Sequence, residues 1–262
     1  MAATYKTLMY RFRPPKASIT LDRPRASNRV NPSMAMEIRQ ACQRLREEEG
    51  IHVAILTGRG KTFSSGREPL PLTRSVRQTY TPLEWLELHQ AASALAGLEI
   101  PVIAAINGDA IDHGLELALA CDLRIAVRGA RLGFTDLSRG IIPWDGGTQR
   151  LPRLVGRARA LEMLLTSRLM DAEEAYRAGL VNMVVEPEGL MSSAEKVALE
   201  IASGAPIAAR YAKETVLKGM DMTLDQGLRL EADLNLILQS TADRAEGLRS
   251  FLEKREPKFR RE

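Results

Sequence analysis

Residues 101–126 read PVIAAINGDAIDHGLELALACDLRIA. The run VIAAI at 102–106 predicts a buried strand that ends at Asn107–Gly108, and a short helix is expected over about 113–120. A second strand, LRIAV at 123–127, follows. A strand that passes through a glycine turn into a helix, and then into another strand, predicts parallel pairing with helices outside the sheet. The fold class expected is α/β.

Working outward, the same alternation recurs. TLMYRF (7–12) and ASITLD (17–22) are β-prone runs separated by RPPK, whose two prolines mark a hairpin turn. After the loop RPRASNRVNPS, residues 34–49 space Met36, Ile38, Cys42 and Leu45 for a helix with one buried face. HVAILTG at 52–58 is read as a buried strand, 82–98 as one helix ending near Gly97, and RLGF at 131–134 as a strand. Beyond about residue 147 the pattern turns helical, with helices expected at 147–166, 172–178, 188–203, 206–219, 223–240 and 242–254. The Gly204–Pro206 break divides residues 1–204, expected to form the core, from 205–262.

The chain has 262 residues, 45% hydrophobic and 27% charged, with a formal net charge of +4, which suits a globular protein with a sizeable core. Its basic residues are dispersed among acids and not gathered into a tract, which argues against nucleic acid as a partner and still suits a phosphate-bearing small ligand. Cys42 and Cys121 are too few for a disulfide framework. MAATYKTLMYRFR lacks the apolar segment of a secretory signal, and no apolar run is long enough to span a bilayer. No membrane association and a cytoplasmic location are therefore expected. His52, His89 and His113 stand apart, and no metal site is expected.

Glu116 is the residue that needs explaining. Leu115, Leu117, Ala118 and Leu119 surround it, so its carboxyl is expected in a partly apolar place, where burial raises its pKa toward use as a proton carrier. A solvated helix face or an ion pair with Arg124 or Arg150 is the alternative. The turn before this helix exposes backbone N–H groups beyond a strand end, and KTFSSGRE at 61–68 does so again near Gly66. Two such loops could together form an oxyanion hole.

Six segments in this order carry a resemblance: LDRPRASNRVN, KTFSSGRE, the 101–126 stretch, LGFTDLSRGIIPWDGGTQRLPRLVG, ALEMLLTSRLMDAEEAYRAGLVNMVV and EGLRSFLEKREPKF. From about Leu21 to Phe259 the chain resembles the crotonase, or enoyl-CoA hydratase/isomerase, superfamily. The resemblance implies a spiral of ββα turns making two roughly perpendicular sheets, a C-terminal helical trimerisation region, and a homotrimer or a hexamer built as a dimer of trimers. It also implies an acyl-CoA thioester substrate, with coenzyme A part of the substrate and no separate cofactor.

Carried over residue by residue, the resemblance puts the oxyanion hole at the backbone N–H groups of Arg67 and His113. Glu116 falls on the first catalytic glutamate and Asp136 on the second, the two holding a water between them. Ser65, Gly66, Arg67 and Gly114 would contact the substrate, Arg25 its phosphates, and Phe251 and Lys254 its adenosine end. His89 and Trp85 are read as packing. The chain departs from the family pattern at three places. Asp136 is one methylene shorter than the usual glutamate; Asp112 and His113 stand in a stretch usually rich in glycine; Trp144 and Asp145 occupy a loop of usually small residues and would reshape the acyl pocket. Asp145 is a candidate catalytic helper or a cap for the helix beginning at 146–148. The expected activity is hydration of an enoyl-CoA, including an alicyclic one. Double-bond isomerase, hydrolase, decarboxylase and dehalogenase are the alternatives within the family. A catalytically silent CoA- or RNA-binding protein is the alternative outside enzymes. Loops 69–82 and 142–146 are expected to shape the acyl pocket.

Overall fold

The computed structural model describes residues 5–68 and 81–259. Strands β1 (Leu8–Arg13) and β2 (Lys16–Leu21) form the expected hairpin, and helix α1 (Pro32–Glu47) follows, capped by the Asn31 side chain on the Met34 amide. Strand β3 (Val53–Gly58) is buried at every position, as an apolar run covered on both faces should be. Helices α2 (Pro82–His89) and α3 (Ala92–Ala96) lead to β4 (Val102–Ile106). The two-residue β5 (Ala110–Ile111) runs into α4 (His113–Leu119), followed by β6 (Leu123–Val127) and β7 (Arg131–Gly133).

After a 3₁₀ turn at Asp136–Arg139 come α5 (Gly147–Val155), α6 (Arg157–Thr166), β8 (Leu169–Asp171), α7 (Ala172–Arg177), β9 (Met183–Val185) and α8 (Leu190–Ala202). The larger sheet has the order β1-β2-β3-β4-β6-β9, parallel except for the first hairpin; β5, β7 and β8 form the smaller one. Helices α9 (Pro206–Gly219), α10 (Leu224–Leu238) and α11 (Ala242–Glu253) complete the described chain. Lys213 of α9 ties this region to the core, donating to Asp122 Oδ2 at 2.7 Å and to the Ile100 carbonyl at 3.0 Å. Among the described residues no helix is long and apolar enough to cross a membrane.

Two expected helices are broken. The single helix over 82–98 is interrupted at Gln90–Ala91, because the Asp145 carboxylate accepts the amides of Ala91 and Ala92, both at 2.7 Å, and of Ser93 at 3.2 Å. A carboxylate arriving from a distant loop caps a new helix there. The helix over 147–166 is broken at Gly156, whose φ of +79° is a conformation that suits glycine. Asp145 therefore does not cap the helix that follows it. Gly146 occupies that position, with no side-chain cap.

Candidate active site

Parallel β3 and β4 end side by side, and the loops that leave them pack against each other. The Ile111 amide donates to the Ser64 carbonyl at 3.0 Å, and the Ser64 amide donates to the Asp109 carbonyl at 3.2 Å. A Cβ on Gly114 would lie 2.1 Å from the Ser64 carbonyl oxygen, so only glycine lets α4 start this close to the neighbouring loop. At the same seam Gly66 takes a φ of +101° and faces the side chain of Asp112.

Asp112 itself has φ +51° and ψ −122°, an unfavourable conformation for a residue with a side chain. Its carboxylate is held by the Thr135 amide at 2.5 Å, by the Thr135 hydroxyl at 2.9 Å and by Arg139 at 2.6 Å. These bonds hold the strained turn, and with it the start of α4. Val30 hydrogen-bonds the Gly66 carbonyl and the Glu68 amide, bracketing Arg67. Among the described residues neither the Arg67 amide nor the His113 amide has an acceptor within the chain.

Glu116 is fully buried one turn into α4. Its Oε1 accepts the Asp145 amide at 2.7 Å and the Gly147 amide at 3.0 Å, and its Oε2 accepts Arg67 Nη2 at 2.9 Å. Burial pushes the carboxyl up to about 7, against the Arg67 charge and the two amides, which favour the ionised form. The partly apolar environment read from the sequence is there. The ion pair is made by Arg67 and not by Arg124 or Arg150, which donate instead to backbone carbonyls, Leu180 and Cys121 for the first and Asp145 for the second.

The Arg67 side chain is a feature of the candidate site that the sequence does not reveal, since only its main chain enters the sequence reading. Its guanidinium carbon lies 3.4 Å from the centre of the Trp144 ring, and the side chain is 9% exposed. The signal available was a cation at the far end of the loop after β3, with an acid in the segment after β4, the adjacent strand.

His113 and Asp145 form a second buried pair, with Nε2 and Oδ2 3.0 Å apart. Burial, helped by the Arg67 charge, pushes the imidazole down to about 4, so it is neutral at pH 7 and carries its proton on Nε2, where the carboxylate accepts it. Burial raises Asp145, but the bonds from His113, Ala91 and Ala92 outweigh it and hold the carboxyl below its ordinary range. His89 is buried as well, consistent with packing, and its charge also disfavours protonation of His113.

Asp136, in the 3₁₀ turn, is 6% exposed. Its Oδ1 accepts Arg139 at 2.8 Å, while its Oδ2 is buried without a partner among the described residues. Burial and the Asp112 charge raise its pKa, and Arg139 opposes them. The fold thus gathers Gly66, Arg67, His113, Gly114, Glu116, Asp136, Trp144 and Asp145. Ser65 sits beside them, its amide on the Ser27 carbonyl. Arg25 is exposed in the 3₁₀ turn Pro24–Ala26. Phe251, 82% exposed, and Lys254 lie at the C-terminal end of α11, with no hydrogen bond or ion pair to this cluster among the described residues. Of the expected pocket loops, residues 69–80 and the side chain of Trp85 lie outside the described residues. No group of three or more His, Cys, Asp or Glu side chains among the described residues is placed to hold a metal ion.

The sequence model of the enoyl-CoA hydratase/isomerase family matches residues 16–262. The chain is 40% identical over 250 residues to (E)-benzylidenesuccinyl-CoA hydratase of Thauera aromatica, covering 93% of this chain and 95% of that one. It is 37% identical over 248 residues to crotonyl-CoA hydratase of Syntrophomonas wolfei, covering 93% and 94%. The crystal structure of enoyl-CoA hydratase from Bacillus anthracis superposes with a TM-score of 0.91 at 37% identity, over 98% of this chain and all of that one.

Proposed function

Because the chain belongs to the enoyl-CoA hydratase/isomerase family, we propose that it adds water across the double bond of a 2-enoyl-CoA thioester. The observation that carries this reading is a buried carboxyl poised near neutrality, Glu116, in a cluster with two backbone amides that lack acceptors among the described residues. The Arg67 and His113 amides come from loops locked together at Ser64 and Gly114, which supports their acting jointly on one thioester oxygen. Hydrogen bonds there stabilise the negative charge that develops on that oxygen as the α-carbon gains enolate character. These are main-chain donors, so the bulky Arg67 and His113 side chains do not remove them.

In the reaction, water oxygen bonds to the β-carbon and loses a proton to one carboxylate, while the α-carbon receives a proton from the other carboxyl. Glu116 is half protonated near pH 7 and can carry a proton in either direction. Asp136 supplies the second acid, its unpartnered Oδ2 free to bind the water. The relatives named above act on a crotonyl and a benzylidenesuccinyl thioester, so the acyl group is set by pocket side chains and not by the fold. The exposed apolar residues of α9–α11, among them Leu217, Leu224 and Leu236, support a homotrimer or a dimer of trimers.

The test is an assay of purified protein against straight-chain and alicyclic 2-enoyl-CoA thioesters. Loss of thioester conjugation with a mass gain of one water supports hydration; no turnover across the set overturns it. One observation favours isomerisation as the second reading: Glu116 has three donors on it, whereas among the described acids of the site Asp136 offers an unfilled buried oxygen. A shifted double bond without change of mass would establish that instead.

A further inference from the structure

Arg67 is charged, nine-tenths buried and short of partners. Among the described residues its side chain makes one hydrogen bond, from Nη2 to Glu116, and its Nε–H is buried with no acceptor. Trp144, against which the guanidinium is stacked, also buries its indole Nε1–H without an acceptor among the described residues. Two adjacent donors are thus withdrawn from water and unsatisfied, one of them on a cation. Buried donors left unpaired cost their full desolvation, so they are rarely kept unless something fills them. The chemistry that meets a planar guanidinium edge and a neighbouring N–H together is a carboxylate, whose two oxygens accept both bonds.

Building on the hydratase reading, which puts the acyl chain here, we propose that the acyl group of the substrate carries a free carboxylate that accepts hydrogen bonds from Arg67 and Trp144. Arg67 would then act twice, its main chain on the thioester oxygen and its side chain on the far end of the acyl group. The reach of one arginine side chain places that carboxylate a few carbon atoms from the thioester carbon. The incoming charge meets Glu116, Asp136 and Asp145, which already face Arg67. Glu116 relieves this by taking up a proton, since burial holds its carboxyl near neutrality.

The probes are pairs of thioesters matched in length: glutaryl-CoA against pentanoyl-CoA and adipyl-CoA against hexanoyl-CoA for binding, and 4-carboxybut-2-enoyl-CoA against pent-2-enoyl-CoA for turnover. In calorimetry the wild-type protein should bind the carboxylate member of at least one saturated pair about 10- to 100-fold more tightly, the size of a charge-assisted bond. Arg67→Met keeps the main-chain amide and should abolish that ratio, whatever it does to both affinities together. Trp144→Phe keeps the stacked ring, removes only the N–H, and should lower the ratio about threefold; it decides the matter if Arg67→Met fails to fold. Equal binding of both members by the wild type, or a ratio unchanged in the variants, overturns the proposal and leaves water as the occupant of these donors. A wild-type preference for the carboxylate that depends on Arg67, with neither unsaturated probe hydrated, would instead sink the hydratase reading while the recognition stands.

Discussion

The two acids of the site, Glu116 and Asp136, are held by opposite means. Around Glu116 no partner is exposed, and two of the three are buried main-chain amides in the loop at 144–147. Around Asp136 the partner is one arginine, Arg139, whose side chain is 53% exposed and is shared with Asp112. Donors built into the backbone set the position and acidity of a group against a low-dielectric surrounding. A solvated side chain sets them weakly, since water and salt compete with it. Glu116 is thus an acid tuned by the framework and Asp136 an acid tuned by its surface.

The hardest way to break this contrast is to remove what anchors the framework. Asp145→Ala would leave His113, three backbone amides and the Ser93 hydroxyl without their acceptor, and should cost about 3–5 kcal/mol in urea unfolding. A loss below about 1 kcal/mol would mean that the loop does not depend on this carboxylate.

A second probe is acidification. Glu116 is raised from its ordinary 4.5 to about 7 on folding, so between those limits the folded state holds the extra proton, and lowering the pH adds stability. His113 is lowered from 6.5 to about 4, so there the unfolded state holds the extra proton, and lowering the pH removes stability. Each is worth about 3 kcal/mol with opposite sign, so their contributions nearly cancel from about pH 6.5 to 4.5. Denaturant titrations should show Glu116→Gln losing stability on acidification across that range and His113→Gln gaining it. Parallel profiles in the two variants would refute the assignment.

In turnover, Glu116→Gln and Asp136→Asn should each lower kcat at least about 100-fold with little change in CoA binding. Near-normal rates in both would remove them from the chemistry. The smallest effect belongs to the surface side of the contrast. Arg139→Gln should lower the rate only about tenfold and shift the acidic limb of the pH–rate profile upward, because the charge that opposes protonation of Asp136 is gone. An unshifted limb would show that Asp136 is tuned from within.

Much of this was readable before any coordinates. The buried strands at 53–58 and 102–106 are apolar runs ended by glycine or asparagine, and α9 begins at Pro206 where the break predicts it. Local chemistry determines such elements. The break between α2 and α3 was not readable, because its cause is a carboxylate more than fifty positions away, at Asp145. For the same reason Asp145 reads from sequence as a cap for its own helix, the nearest set of free amides. The apolar setting of Glu116 followed from its neighbours. The stack of Arg67 on Trp144 did not, since it joins two loops that only the folded sheet brings together.

The seam between Ser64 and Gly114 has a consequence for anyone redesigning this protein. A Cβ at residue 114 would strike the opposing carbonyl oxygen at 2.1 Å, so mutagenesis there damages the scaffold without offering new chemistry. On the proposed reading, randomised libraries belong at Trp144 and the Arg67 side chain instead, where selectivity would be exchanged while the main-chain grip on the thioester is inherited.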